Sequence, residues 1–204
     1  MRKFALLSCF VFLCLVTFAF AQQGDIMVGG GILLSPRSNS ASVTPPPTEK
    51  GGKYINLSGD LVKFKHRTGF NVETAWRYGQ ADYADTNETY RPILTDFNAL
   101  FQPQVTRKIG LDLFAGVGIA STRFNIPSAT SCGVPESGCT FYTSNNHFME
   151  DLGAGVRYYV WHRLDHVFLR PEVHYYHIQN NGAFSSPNVF RVGASIGYTI
   201  GHAD

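Results

Sequence analysis

The sequence predicts an all-β protein, an eight-stranded antiparallel up-and-down barrel that crosses a membrane with its strands. Three observations predict it. Apolar residues recur with a period of two rather than 3.6 in segment after segment. The complementary phase of those segments carries charge, which inverts the polarity of a soluble barrel. The connections alternate between short and long.

The elements follow in chain order. Residues 1–21 read as a cleaved signal peptide rather than as part of the fold. Met1-Arg2-Lys3 is a basic start, Phe4 to Phe20 is almost wholly apolar, and Ala19-Phe20-Ala21 sets small residues before a cut at Gln22. Residues 22–204 read as a single barrel domain. With Arg2 and Lys3 removed, 15 basic residues face 15 acidic ones, so the expected mature chain is neutral. Only 16% of the chain is charged, and no basic cluster exists to neutralise phosphates, so nucleic acid is excluded as a partner.

Within that domain, segment 25–34 points Ile26, Val28, Ile32 and Leu34 to one side, and 53–63 points Ile55, Leu57 and Leu61. Segment 69–79 sets Phe70, Val72, Thr74, Trp76 and Tyr78 against Asn71, Glu73 and Arg77, and 91–103 aligns Ile93, Phe97, Ala99 and Phe101. In 109–120, Leu111, Leu113, Ala115, Val117 and Ile119 oppose Asp112, Phe114 and three glycines. In 148–160, Leu152, Ala154, Val156, Tyr158 and Val160 oppose Asp151 and Arg157; in 166–178, Val167, Leu169, Pro171, Val173 and Tyr175 oppose Arg170, Glu172 and His174. The clearest alternation, Phe190 to Ile200, sets six apolar residues against Arg191, Gly193, Ser195, Gly197 and Thr199. Segments of about ten residues match the length of a tilted membrane-spanning strand.

Three connections, Lys63–Thr68, Gln104–Lys108 and His162–Asp165, are expected to be short turns. Four, Ser35–Gly52, Gln80–Tyr90, Thr122–Asn146 and Gln179–Pro187, are expected to be long loops rich in Pro, Ser, Asn, Thr and Gly. Short periplasmic turns and long extracellular loops are the arrangement of barrels in the bacterial outer membrane. Cys9 and Cys14 leave with the signal peptide, and the remaining pair, Cys132 and Cys139, brackets Gly-Val-Pro-Glu-Ser-Gly in the third loop. In an oxidising compartment that spacing predicts a disulfide pinching the loop.

The stretches Leu113-Phe-Ala-Gly-Val-Gly-Ile119, Gly153-Ala-Gly-Val-Arg-Tyr-Tyr159, Val167-Phe-Leu-Arg-Pro-Glu-Val173 and Val192-Gly-Ala-Ser-Ile-Gly-Tyr198 carry a resemblance. The chain resembles the small eight-stranded bacterial outer-membrane β-barrels related to the transmembrane domain of outer-membrane protein A. The resemblance implies contact with outer-membrane lipid and insertion by the barrel-assembly machinery. Members usually end on an aromatic residue, whereas Tyr198 is followed by Thr-Ile-Gly-His-Ala-Asp, so Tyr198 is the expected assembly signal.

The interior is expected to hold a charge network of Asp60, Glu73, Arg77, Asp96, Asp112, Asp151, Arg157, Arg170, Glu172 and Arg191, with Arg157 and Glu172 at its centre. In the turn register used for His162–Asp165, Arg157 faces Arg170 and Glu150 faces His177. The last pair resembles part of the lipid-deacylating barrels' machinery, but no His-x-Ser occurs and no hydroxyl nucleophile shares its face. The histidines are scattered without zinc-ligand spacing, and Gly29-Gly30-Gly31 reads as close strand packing rather than a phosphate loop. Trp76, Tyr78, Tyr158, Tyr159 and Trp161 read as an interfacial aromatic girdle. No catalytic residue, metal site or cofactor is predicted. The expected function is a structural or surface-interaction role in which the extracellular loops meet an outside partner; a small pore and a lipid-modifying enzyme are the alternatives.

Overall fold

The computed structural model describes residues 23–36, 46–63, 67–84, 87–106, 108–128, 139–161, 164–179 and 182–201. The proposed signal peptide and Cys132 lie outside the described residues. The strands are β1 (Gln23–Leu34), β2 (Gly52–Lys63), β3 (Thr68–Arg77), β4 (Ala81–Asp82), β5 (Thr89–Phe101), β6 (Ile109–Ser128), β7 (Cys139–Trp161), β8 (Leu164–Ile178) and β9 (Asn188–Ile200). All pairings are antiparallel. β1 pairs with β9 and β3 with β5, so eight long strands close a barrel, and the two-residue β4 only extends the edge of β5.

Polarity follows the alternation in the sequence. Ile26, Val28, Leu57, Phe70, Val72, Phe97, Leu152, Ile196 and Tyr198 are exposed on the outside. Asp25, Asp60, Glu73, Asp96, Asp112, Asp151, Arg157, Arg170, Glu172 and Arg191 are buried inside. In water this arrangement would fail twice, exposing an apolar belt and burying charge. In a bilayer the belt faces hydrocarbon, and ladder closure leaves no unpaired backbone edge within it.

One expected loop is largely strand. Thr122–Asn146 reads as a loop because Asn, Ser, Thr and Pro interrupt the apolar period, yet β6 and β7 stay paired from Ile109↔Tyr158 to Ser128↔Cys139. A two-stranded ribbon can run on backbone pairing with only Phe124 and Ile126 packed inward, and composition does not reveal that pairing. The ribbon outruns its neighbour on one side: β8 first pairs with β7 at Met149↔Ile178, whereas β5 accompanies β6 to Thr89↔Asn125.

Inside, large side chains face missing ones. A Cβ on Gly153 would stand 2.7 Å from His174 Nδ1, and one on Gly29 would stand 2.6 Å from Asn56 Oδ1. Gly29 and its neighbours are therefore the packing element expected for them, making room for lumen side chains.

Candidate functional site

The lumen is layered. Toward the loop side lies an apolar layer including Leu33, Tyr54, Leu94, Met149, Tyr176 and Val189, and toward the turn side Val62, Leu100 and Phe114 cluster. Between these ends stand three buried arginines with carboxylates and aromatic rings around them. Arg157 reaches Asp25 at 2.5 Å and both Asp60 and Asp112 at 3.1 Å. Arg170 reaches Glu172 at 2.8 Å, Asp60 at 3.3 Å, Asp112 at 3.5 Å and Glu73 at 3.8 Å. Arg191 pairs with Glu73 and lies 3.5 Å from Glu172. Each guanidinium also sits over a ring: Arg157 on Phe168, Arg170 on Phe114, Arg191 on Tyr54 and Tyr176.

Amides and hydroxyls share the remaining lone pairs. Asn56 Nδ2 donates to Glu73, Glu172 and Ser195 at 3.1 Å, Asn71 to Asp60 at 2.6 Å, and Asn98 to Asp96 and Asp151 at 2.8 Å. His174 Nδ1 lies 3.0 Å from Asp151. Such multiple partners are what make a buried ionic cluster tolerable against its desolvation cost.

The lumen brings nine of the ten expected residues together, and their arrangement departs from the expected one in three ways. Arg77 follows the inward phase but stands at the loop-side rim, where it donates to the carbonyls of Gly79 (2.9 Å) and Gly51 (3.4 Å). Its place at the end of β3 puts it above the charged layer. Arg157 and Glu172 do not form the centre together: Arg157 serves Asp25, Asp60 and Asp112, and Arg170 is the link to Glu172. Asp25, which sequence reasoning missed, is a principal partner. Its signal was available, because it falls in the phase opposite Ile26 and Val28 on the first strand.

Other expectations resolve as follows. Pairs on either side, Gly155↔Glu172 and Tyr158↔Leu169, keep the register that sets Arg157 across from Arg170. Glu150 is paired with His177 as expected, but His177 Nδ1 lies 3.0 Å from Asn188 Oδ1, and Glu150 accepts from Gln179 at 2.9 Å. Tyr159 is no girdle residue: it follows the inward phase of Arg157 and packs on Phe168. Tyr78 and Tyr158 are exposed on the outside, and Trp161's side chain lies outside the described residues. Tyr198 is exposed on β9, beside Ile26 of β1 at the closing seam. Backbone pairing sets Cys139 opposite Ser128.

Glu73, Glu172 and His174 bring one potential ligand atom each within 4.8 Å of one another. Both carboxylates already face Arg170 and Arg191, so positive charge is supplied there by guanidinium. The set does not fit a metal ion.

Above the lumen the loop-side connections converge. Phe184, Tyr90, Phe124 and Tyr83 form an aromatic cluster, with Tyr83–Phe124 centroids 5.3 Å apart and Tyr90–Phe184 centroids 4.9 Å apart. Tyr83 OH donates to Ala183 O at 2.9 Å, Ser185 N to Pro47 O at 3.1 Å, and Lys50 N to Tyr90 OH at 2.5 Å. Glu49 is buried under this cap, and burial pushes its carboxyl up to about 7 against the lowering effect of Arg77.

No known family profile matches the sequence, and no curated protein matches it. Solved structures do match. Neisserial surface protein A has a TM-score of 0.57 at 12% identity, covering 86% of this chain and 96% of that one. Ail, the attachment invasion locus protein of Yersinia pestis, solved in complex with the heparin analogue sucrose octasulfate, has a TM-score of 0.55 at 13% identity, covering 87% and 98%. OprG, an outer membrane protein of Pseudomonas aeruginosa, has a TM-score of 0.52 at 13% identity, covering 89% and 98%. Fold and polarity define the class: this is a transmembrane β-barrel. Its fold is that of the small eight-stranded barrels of the bacterial outer membrane.

Proposed function

We propose that the protein is a non-enzymatic surface barrel whose β6–β7 ribbon docks an extended polypeptide segment of an extracellular partner. The observation that carries this reading is the uncovered edge of β7. From Cys139 to His147 the strand is laddered to β6, and among the described residues no strand pairs with its other side, where the first bond is Gln179 N to Phe148 O at 2.9 Å. Phe141 to Asn146 are exposed, with Tyr142 at 78%. An uncovered edge is a template for strand addition, and proteins normally blunt it with Lys, Pro or a bulge. Here Thr140-Phe-Tyr-Thr-Ser-Asn-Asn146 has no charge and no proline. A Cys132–Cys139 disulfide, detectable as the absence of free thiol in the natively purified protein, would hold the ribbon's tip. Tyr198 is the assembly signal in this reading.

Two observations support a non-catalytic role. Glu150 and His177 are each engaged by amides rather than by one another, and five lumen carboxylates, Asp25, Asp60, Glu73, Asp112 and Glu172, are bound to arginine. The bound octasulfate of Ail is a precedent for an extracellular ligand on this scaffold. The test is photo-crosslinking on intact cells from a benzophenone side chain at position 142, with Tyr158, on the membrane-facing surface, as the control position. Crosslinks to a protein partner from 142, abolished by Ser144→Lys with Asn146→Lys, are expected. Equal crosslinking after those substitutions would remove the edge-docking reading.

A further inference from the structure

The outer surface carries one unusual row of charge. Arg91 on β5 and Arg123 on β6 are directly paired across the ladder, both in the outward phase. On the same side, Tyr78 N donates to Lys53 O on β2 at 2.8 Å, and Lys53 is outward and exposed. The β3–β5 register, Trp76↔Ile93, carried two residues on, sets Tyr78 beside Arg91. Lys53, Tyr78, Arg91 and Arg123 therefore lie side by side across four neighbouring strands, over roughly 14 Å at ordinary strand spacing.

Among the described residues no ion pair involves Lys53, Arg91 or Arg123. Asp82, beyond the row, is 3.8 Å from Lys50 instead. Like charges directly opposite on a sheet face are destabilising by themselves, and Arg91 Nε is a buried donor without a hydrogen-bond partner. On the other side of the barrel, the outward positions near the loop-side rim are Glu150, His177 and Asn188, with no Lys or Arg among them. The cationic face is one-sided.

Its height selects the ligand. Two residues deeper on the same strands stand Ile55, Trp76 and Ile93, the start of the apolar band, so the row sits at headgroup level and points into the leaflet. Arginine's fork matches phosphate oxygens, and paired guanidiniums can clasp one phosphate from two sides. We infer that Lys53, Arg91 and Arg123, with Tyr78, form a binding site for the phosphate of an anionic outer-leaflet lipid on this face of the barrel.

The folded, full barrel in neutral detergent is titrated with phosphatidic acid and with phosphatidylcholine, and retained lipid is read by native mass spectrometry. Wild type is expected to retain phosphatidic acid, with affinity falling as salt rises. Arg91→Gln with Arg123→Gln should weaken that retention at least tenfold, Lys53→Gln less, and Lys108→Gln, at the turn side, not at all. Heat-modifiable gel migration reports that each variant is folded. Undiminished retention by the double Gln variant would overturn the site. Inorganic phosphate displacing the lipid at equal concentration would assign the row to a free anion. Heparin binding lost in the double variant, with lipid retention intact, would assign it to a soluble polyanion. Either result overturns the lipid proposal.

Discussion

Arg157 and Asp25 meet across the lumen at 2.5 Å, joining β7 to β1, two strands that are not neighbours in the sheet. The same guanidinium reaches Asp60 on β2 and Asp112 on β6. Ladder bonds tie each strand to its neighbours; the ionic layer ties the barrel wall across its interior. Breaking one such pair leaves its partner buried and uncompensated, which costs about 3–5 kcal/mol. Arg157→Ala and Asp25→Ala are each expected to lower stability by roughly that amount in urea unfolding from lipid vesicles. The double variant should be less than additive, with a coupling energy of about 0.5–3 kcal/mol. Strict additivity would show that the contact carries no energy.

Arg170 is the more consequential arginine. It lies within 4 Å of four carboxylates, Asp60, Glu73, Asp112 and Glu172, and stacks on Phe114 at 5.0 Å. Arg170→Ala is therefore expected to destabilise more than Arg157→Ala in the same unfolding assay. Loss of ordered Phe114 packing should appear as altered aromatic NMR shifts at Phe114 and altered methyl shifts at Val62 and Leu100. Equal or smaller destabilisation would move the hub elsewhere.

How much of this was legible in the sequence depends on what each residue had to satisfy. Outward residues such as Ile196 and Tyr198 obey one constraint, apolarity every second position, so strand, face and register could be read for β9. The Glu150↔His177 pairing followed from counting back from one turn. Asp25 was hidden because β1 is rich in glycine, and a weak alternation draws no attention to its single charge. Arg77 was misplaced because phase fixes the direction of a side chain and not its depth along the axis. The ribbon beyond Ser121 was invisible because its pairing is mostly backbone chemistry, with only Phe124 and Ile126 to mark an apolar face.

The filled lumen bears on the pore alternative. Arg157, Arg170 and Arg191 with their carboxylates occupy the middle, and Tyr176, Met149 and Leu94 the layer above. Planar-bilayer recordings are expected to show no large, steady conductance. A stable open level in the wild type, abolished by substitutions at Arg170, would overturn the plugged barrel.

Glu49 makes the loop-side cap sensitive to pH, and the sign follows from its position. The cap buries this carboxyl, raising it from 4.5 to about 7, with Arg77 opposing the shift. Lys50 beside it pairs with Asp82 in solvent, and Tyr90 faces it from β5, accepting the Lys50 amide proton. Because the docked state prefers the protonated acid, docking is most favourable below about 4.5. It weakens as pH rises from there through about 7, then levels off. The whole change is on the order of 3 kcal/mol at most. It loosens the cap and not the barrel, whose strands hold without it. Limited proteolysis of 46–50 and 182–187 should therefore be slow at pH 5 and faster at pH 8, while heat-modifiable migration stays the same at both. Glu49→Gln, which is neutral at either pH, should remain slow throughout. Proteolysis of the wild type that is indifferent to pH, or a Gln variant as pH-dependent as the wild type, would show that another group governs the cap.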